Sequence, residues 1–255
     1  MKNGVYFLKK VKIFDVEFDA LSMKETVQLV EQRIASKKGT HLLGVNADKI
    51  NEIDSDPEMK RIVSEADIIN ADGASVVLAS HVLKQPLPER VAGIDLMQEL
   101  LKASNTQGYT VYFLGAKESV VSGMVSILKK KYKDLKVIGY RNGYFSKDKW
   151  KNIADKLIIL KPDIVFIGIT SPTKEYLIDY FLSKKIHTVF MGVGGSFDVL
   201  SGNVKRAPKL MQRLNLEWIY RVAQEPRRLF KRYFFGNMRF FCRTLKEFHK
   251  LNRKF

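Results

Sequence analysis

"ADIINADGASVVLAS" (residues 66–80) runs from an apolar, β-branched stretch through Asp72-Gly73 into a helix-forming pattern. Five further runs share that build: "HLLGVN" (41–46), "YTVYFLGA" (109–116), "LKVIGYRNGYF" (135–145), "PDIVFIGIT" (162–170) and "HTVFMGVGG" (187–195). Each is short, passes through Gly, Asn or Asp near its end, and most lead into a helical pattern. Strands apolar on both faces and alternating with helices predict a largely parallel sheet covered by helices. Such sheets place ligands at the carboxyl ends of their strands, where loops and helix starts offer backbone N–H groups.

The expected fold is therefore α/β, Rossmann-like, with 255 residues and 45% hydrophobic content sufficient for one sizeable core. Ahead of that core, "VKIFDVEFDALS" (11–22) alternates like a strand. Ser22 is placed to cap a helix over 23–37, with Thr26, Val27, Val30 and Ile34 at helical spacing. The one compositional break falls near Gly202, dividing an α/β catalytic core (1–202) from a basic appendage (203–255). The appendage holds six Lys and nine Arg against three Glu, so it carries +12 of the formal +17. That balance calls for an anionic partner: nucleic acid, lipid headgroups or a phosphorylated small molecule. A single cysteine, Cys242, excludes an internal disulfide, and the four histidines show no metal-ligand spacing. The first residues contain no secretory apolar region, and no run of 18 apolar residues occurs, so neither export nor a membrane span is expected.

Three strand ends turn through glycine: "FLGAKES" at Gly115, "FIGITSPTKE" at Gly168 and "MGVGGSFDVLSG" at Gly194 and Gly195. They are candidate rests for a phosphate or diphosphate, or simply tight turns; none is a Walker A loop or a dinucleotide fingerprint. Asp72, at a strand end and a helix start, reads either as a helix cap or as a general base at a cleft mouth. Asp54-Ser55-Asp56 has the form D-x-D. Pro57 and Glu58 follow directly, so Asp56 is read as a helix cap and no metal is expected there.

Taken together, "GVNADKINEIDSDPEMKRIVSEADIINADGASVVLAS", "ERVAGIDLMQELL", "YFLGAKES", "GYRNGYF", "PDIVFIGITSPTKEYLI" and "GVGGSFDVLSGNVKRAPKLMQRLNLEWIYRVAQEPRRLFKRY" resemble the WecG/TagA/CpsF glycosyltransferases, glycosyltransferase family 26, in the right order over roughly residues 12 to 235. The resemblance implies inverting transfer of a sugar from a UDP-sugar to a polyprenyl-diphosphate-linked acceptor, without a metal cofactor, in teichoic acid or other surface polysaccharide synthesis. N-acetylmannosamine, its uronic acid and glucose remain open as the sugar. It makes Asp72 the base. Asn46 matches the family's T-x-N strand end, but Gly44 stands where the family has threonine. Arg90, Gly93 and Asp95 match R-x-x-G-x-D; the arginine and aspartate read as an ion pair or as donor contacts. Glu175 is retained, while Lys174 replaces a frequent glutamine, as a phosphate or carboxylate contact or as a solvated lysine. In the appendage the resemblance makes Arg221, Arg228 and Lys231 candidates for the departing diphosphate, with Arg206 and Arg232 behind them.

At about 100° per residue, Phe230, Phe234, Met238, Phe241, Leu245 and Phe248 share one arc of a helix, opposite Arg228, Arg232, Arg239, Arg243, Lys246 and Lys250. A bend or break is expected near Gly236. Segregated faces favour an anionic membrane surface over single-stranded nucleic acid, whose binders interleave aromatics and cations. Packing of the apolar arc on the core or on another subunit is the third reading. The function expected is that of a transferase held peripherally on the cytoplasmic face of the cell membrane, with no nucleic acid bound. The alternative is a nucleic-acid-binding protein on a nucleotide-binding-like core. A second copy of the chain is the remaining partner, meeting it through the apolar face that an undocked tail would expose.

Overall fold

The computed structural model describes residues 9–253, with the side chains of residues 228, 229 and 231–233 left out of the description. The chain opens on β1 (Lys10–Ile13) and β2 (Val16–Asp19), an antiparallel hairpin, followed by α1 (Met23–Ala35), β3 (Thr40–Val45), α2 (Ala47–Ile53), α3 (Pro57–Glu65), β4 (Ile68–Ala71), α4 (Ala74–Val82) and α5 (Gly93–Gln107). Next come β5 (Thr110–Gly115), α6 (Glu118–Lys131), β6 (Lys136–Arg141), α7 (Trp150–Leu160), β7 (Ile164–Gly168), α8 (Thr173–Ser183), β8 (Val189–Gly192) and α9 (Ser196–Leu200). Helices α10 (Lys209–Arg213), α11 (Glu217–Gln224) and α12 (Pro226–Asn252) complete it.

Strands β3 to β8 form one sheet, parallel throughout, in the order β4-β3-β8-β7-β5-β6. Alternation along β3 shows why both faces are covered. Leu42 packs with α1, α5, α6 and α9 in one apolar cluster, while Leu43 and Val45 join α2, α3, α4 and the β1–β2 hairpin on the other side. Helices α7 and α8 complete that second face over β5, β7 and β8. Ser22 caps α1 through a reciprocal capping box with Glu25, and Asp56 caps α3 by accepting the Glu58 and Met59 N–H groups ahead of Pro57.

After β3 the chain turns outward to α2 and the edge strand β4; after β8 it turns the other way, to α9 against α6. The connections diverge there, so a crevice opens over the carboxyl ends of β3 and β8.

Helix α12 corrects one expectation. It is unbroken across Gly236. The glycine serves a close approach instead: Asn51 Nδ2 donates to the Gly236 carbonyl at 2.9 Å, and a Cβ at 236 would stand 2.6 Å from Asp48 Oδ1. Around that contact Phe240 is buried against Phe14, edge to face at 5.5 Å, and Arg239 and Arg243 pair with Asp54. Arg239 and Arg243 of the basic flank thus reach the core, Lys246 and Lys250 stay exposed, and the apolar arc of Phe230, Phe234, Met238, Phe241 and Leu245 faces outward. Phe248 alone departs from that arc, packing with Leu251 beside the hairpin cluster, so the reading that the arc packs on the core holds only there.

Neighbouring phenylalanines should therefore behave oppositely. Phe240, 3% exposed, should cost about 3 kcal/mol or more when changed to alanine. Phe235→Ala, at a side chain that is exposed, should stay within about 0.5 kcal/mol. Urea midpoints at unchanged slope read both; equal losses would mean that α12 sits the other way round.

Candidate active site

Asp72 follows β4 directly, and its N–H donates to the Val45 carbonyl at 3.0 Å, which ties it to the end of β3. Its carboxylate does not cap the helix that it precedes: Gly73 holds that position, without a side-chain cap. Oδ1 instead accepts the Gly93 N–H at 2.7 Å, at the first turn of α5. The Asp72 carboxylate is thereby aimed at the positive end of a second helix, and Oδ2 accepts no hydrogen bond among the described residues.

Gly44 lies beside it. A Cβ there would stand 3.2 Å from Asp72 Cβ, so the glycine lets the acid sit close against the end of β3. Asn70 stands behind that contact; its Nδ2 donates to the Val91 carbonyl, and its buried Oδ1 has no partner among the described residues. Asn46 caps α2, its Oδ1 accepting the Lys49 N–H at 3.0 Å.

The expected Arg90–Asp95 pair is not formed. Arg90 donates through Nε to the Asp72 carbonyl at 2.8 Å and pairs with Glu217 of α11 at 2.9 Å. Asp95 takes both terminal nitrogens of Arg206, at 2.6 and 2.8 Å, and Arg206 Nε also reaches Glu217, at 3.1 Å. Each core residue has found a longer-range partner on the C-terminal segment. Glu217 went unnoticed in the sequence, and Arg206 is committed to carboxylates rather than left open to a diphosphate.

A second charged cluster fills the space between α2 and the end of β7. Glu175 is fully buried, and it pairs with Lys49 and, at 2.8 Å, with Lys174. Ser171 Oγ joins it, 3.0 Å from Lys49 Nζ and 2.9 Å from Glu175 Oε2. Burial by itself would raise the Glu175 carboxyl; Lys174 and Lys49 outweigh it and hold the group down at about 2. Lys174 is accordingly not a solvated lysine: its stem lies against Gly192 at the end of β8, where a Cβ would meet it at 2.8 Å. Lys49 had a legible signal, since it falls on the apolar face of α2 with Ala47, Ile50 and Ile53.

The glycine loops divide. A Cβ on Gly115 would come within 2.5 Å of Gly168, and one on Gly168 within 2.6 Å of Phe197, so both are closed by packing. Gly194 and Gly195 face open space, Gly194 at φ +50°. Arg221 is exposed on α11, with no ion-pair partner among the described residues. The side chains of Arg228, Lys231 and Arg232 lie outside the described residues. Asp54 and Asp56 are engaged by Arg243 and by the Tyr176 hydroxyl, respectively.

Residues 11–254 match the family described as the WecG/TagA/CpsF glycosyl transferases. The chain is 34% identical over 222 residues to an N-acetylglucosaminyldiphosphoundecaprenol N-acetyl-beta-D-mannosaminyltransferase of Staphylococcus aureus, covering 86% of this chain and 87% of that protein. A protein of the same name from Bacillus spizizenii is 36% identical over 191 residues, 75% of this chain and 74% of its own.

Glu175 carries a pH prediction. With its folded pKa below its unfolded value of 4.5, the ionised carboxylate stabilises the protein above that pH, and the contribution is lost as pH falls towards about 2. Glu175→Gln should be less stable than the parent at pH 7, by about 3 kcal/mol. That gap should narrow as acid is added below pH 4.5. Denaturant titrations across the range check it, and a gap that does not change with pH would rule out the ionised pair.

Proposed function

The chain belongs to the WecG/TagA/CpsF family of glycosyl transferases, and from that premise we propose that it moves an N-acetylmannosamine-type sugar from a UDP-sugar, with inversion, to a sugar carried on a polyprenyl diphosphate. The acceptor and the sugar follow the names of the Staphylococcus and Bacillus relatives. The observation that carries the chemistry is Asp72, fixed through Oδ1 on the first turn of α5, with Oδ2 accepting no hydrogen bond among the described residues.

In the transfer an acceptor hydroxyl attacks the anomeric carbon from the face opposite the nucleotide. Its proton passes to Asp72 Oδ2, and the bond from carbon to the diphosphate oxygen breaks as UDP leaves. In this reading backbone N–H groups at Gly194 and Gly195 and Arg221, which has no ion-pair partner among the described residues, receive the departing charge, joined by Arg228 and Lys231 on the strength of the family resemblance. In this reading Asn46, at the end of β3, holds the sugar beside Asp72. The reaction as proposed uses no metal cofactor.

Residues 203–255 act in this reading as the appendage that completes the site, through Glu217 and Arg206. Among the described residues no helix is long and apolar enough to cross a membrane. The exposed side of the appendage outside the apolar arc of α12, with Leu214, Ile219, Phe235 and its cations, is instead suited to lie against an anionic bilayer, at the cytoplasmic face where a UDP-sugar is available.

Asp72→Asn keeps an oxygen for the Gly93 N–H but removes the proton acceptor. It should lower turnover by about 10²- to 10⁴-fold while leaving the urea midpoint and calorimetric UDP affinity close to the parent's. Unchanged turnover would remove Asp72 from the role of base, and a parent that binds no uridine nucleotide would remove the donor class.

A further inference from the structure

Helix α11 has two working faces. Glu217 and Arg221, one turn apart, share the face that reaches Arg90 and, through it, the Asp72 carbonyl. Trp218 and Val222, also one turn apart, lie about 100° round the helix from that face and form one wall of a groove. The opposite wall is α12, with Phe230, Phe234, Met238 and Phe241 at successive turns. We propose that this groove holds the polyprenyl chain of the lipid-diphosphate acceptor, a site distinct from the bilayer-facing ridge; the inference rests on the transfer reaction proposed above.

The groove is concave, with a volume of about 320 Å³, and Asn237 is the one polar residue in its lining. From Phe230 to Phe241 it follows about 16 Å of helix, room for several isoprene units end to end. A surface that merely rests on a bilayer gains from any exposed apolar side chain whatever its shape. A groove walled on two sides also supplies dispersion contacts around a single chain, and so favours a slender apolar ligand.

Charge supports the same occupant. An acceptor of this class presents an apolar chain, then a diphosphate, then a sugar hydroxyl. The protein presents an apolar groove at Trp218 and Val222, then the guanidinium of Arg221 between them in sequence, without an ion-pair partner among the described residues, then the Glu217–Arg90 link to Asp72. Leu214, Ile219 and Phe235, exposed but outside the groove lining, are left to meet the bilayer.

The test uses the full chain, with a long-chain polyprenyl-diphosphate acceptor and a short-chain, water-soluble analogue, both assayed in detergent micelles. Groove variants Phe234→Asn and Met238→Asn should lower the ratio of kcat/KM for the long over the short acceptor by about tenfold, the weight of roughly two buried methylene groups. Ridge variants Leu214→Asn and Phe235→Asn should weaken co-sedimentation with anionic vesicles and leave that ratio where it was. An unmoved ratio in the groove variants, or an equal fall in the ridge variants, would reduce the groove to generic lipid contact and overturn the proposal. A diazirine-bearing long-chain acceptor gives a readout independent of turnover: crosslinks to Trp218, Val222 or Met238 support the groove, and crosslinks confined to the ridge overturn it. Inactivity of the parent on both acceptors would count against the transfer reaction, while the crosslinking pattern still decides the groove.

Discussion

The carboxylate of Glu217, its side chain 9% exposed, lies between two arginines that come from opposite sides of the site. Arg90 belongs to the loop leading into α5, and Arg206 to the segment after α9. Neither cation would remain in so poorly hydrated a place without its partner, and Glu217 would not be buried without both. Through Arg90 the network grips the Asp72 backbone, and through Arg206 it grips Asp95 on the first turn of α5, the same turn whose Gly93 N–H orients the Asp72 carboxylate. One buried acid therefore fixes three things relative to one another: the end of β4, the start of α5 and the helix α11.

This network also explains where reading the sequence stopped short. The parallel sheet was legible because each strand carries its own evidence, a short apolar run ending in a turn residue. The caps at Ser22 and Asp56 were legible because cap and capped N–H groups lie within three residues of each other. Arg90 and Asp95 sit five apart in a motif, and proximity invited pairing them. Their partners stand 127 and 111 residues away, and no local pattern signals those. The strand-end glycines stayed open between two readings for the same reason: Gly115 and Gly168 are required by each other and by Phe197, neighbours across the sheet rather than along the chain. Lys49 is the exception that was there to be read, a lysine on the apolar face of a short helix.

Helix α12 shows how local and tertiary evidence combine. Its amphipathic arc was visible in the sequence, but the arc alone leaves open whether the apolar side turns inward or outward. Gly236 decides it. By permitting backbone contact with α2, the glycine sets the side of the helix that meets the core, and Phe240 and Thr244, four and eight residues on, follow it inward. Phe241, one residue and about 100° round from Phe240, is then 57% exposed. What resembled a hinge in the sequence is the docking point that leaves the aromatic arc without a partner in the fold.

The formal charge of +17 acquires a different meaning once the pairs are placed. The cations nearest Asp72 are spent: Arg90 and Arg206 on Glu217 and Asp95, Lys49 and Lys174 on Glu175. A crevice lined by satisfied pairs has low net charge, so it does not hold a diphosphate strongly before the sugar is in place. Arg221, exposed and without an ion-pair partner among the described residues, stands one turn along α11 from Glu217. This ordering suits the transfer proposed above, in which both substrates carry diphosphates. Neutral, rigid surroundings orient the attacking hydroxyl and the base, and the cations wait at the rim, where the departing nucleotide and the lipid diphosphate bring their charge. A cluster of free arginines directly over Asp72 would bind UDP before and after transfer alike, and uniform binding of that kind does not lower the barrier.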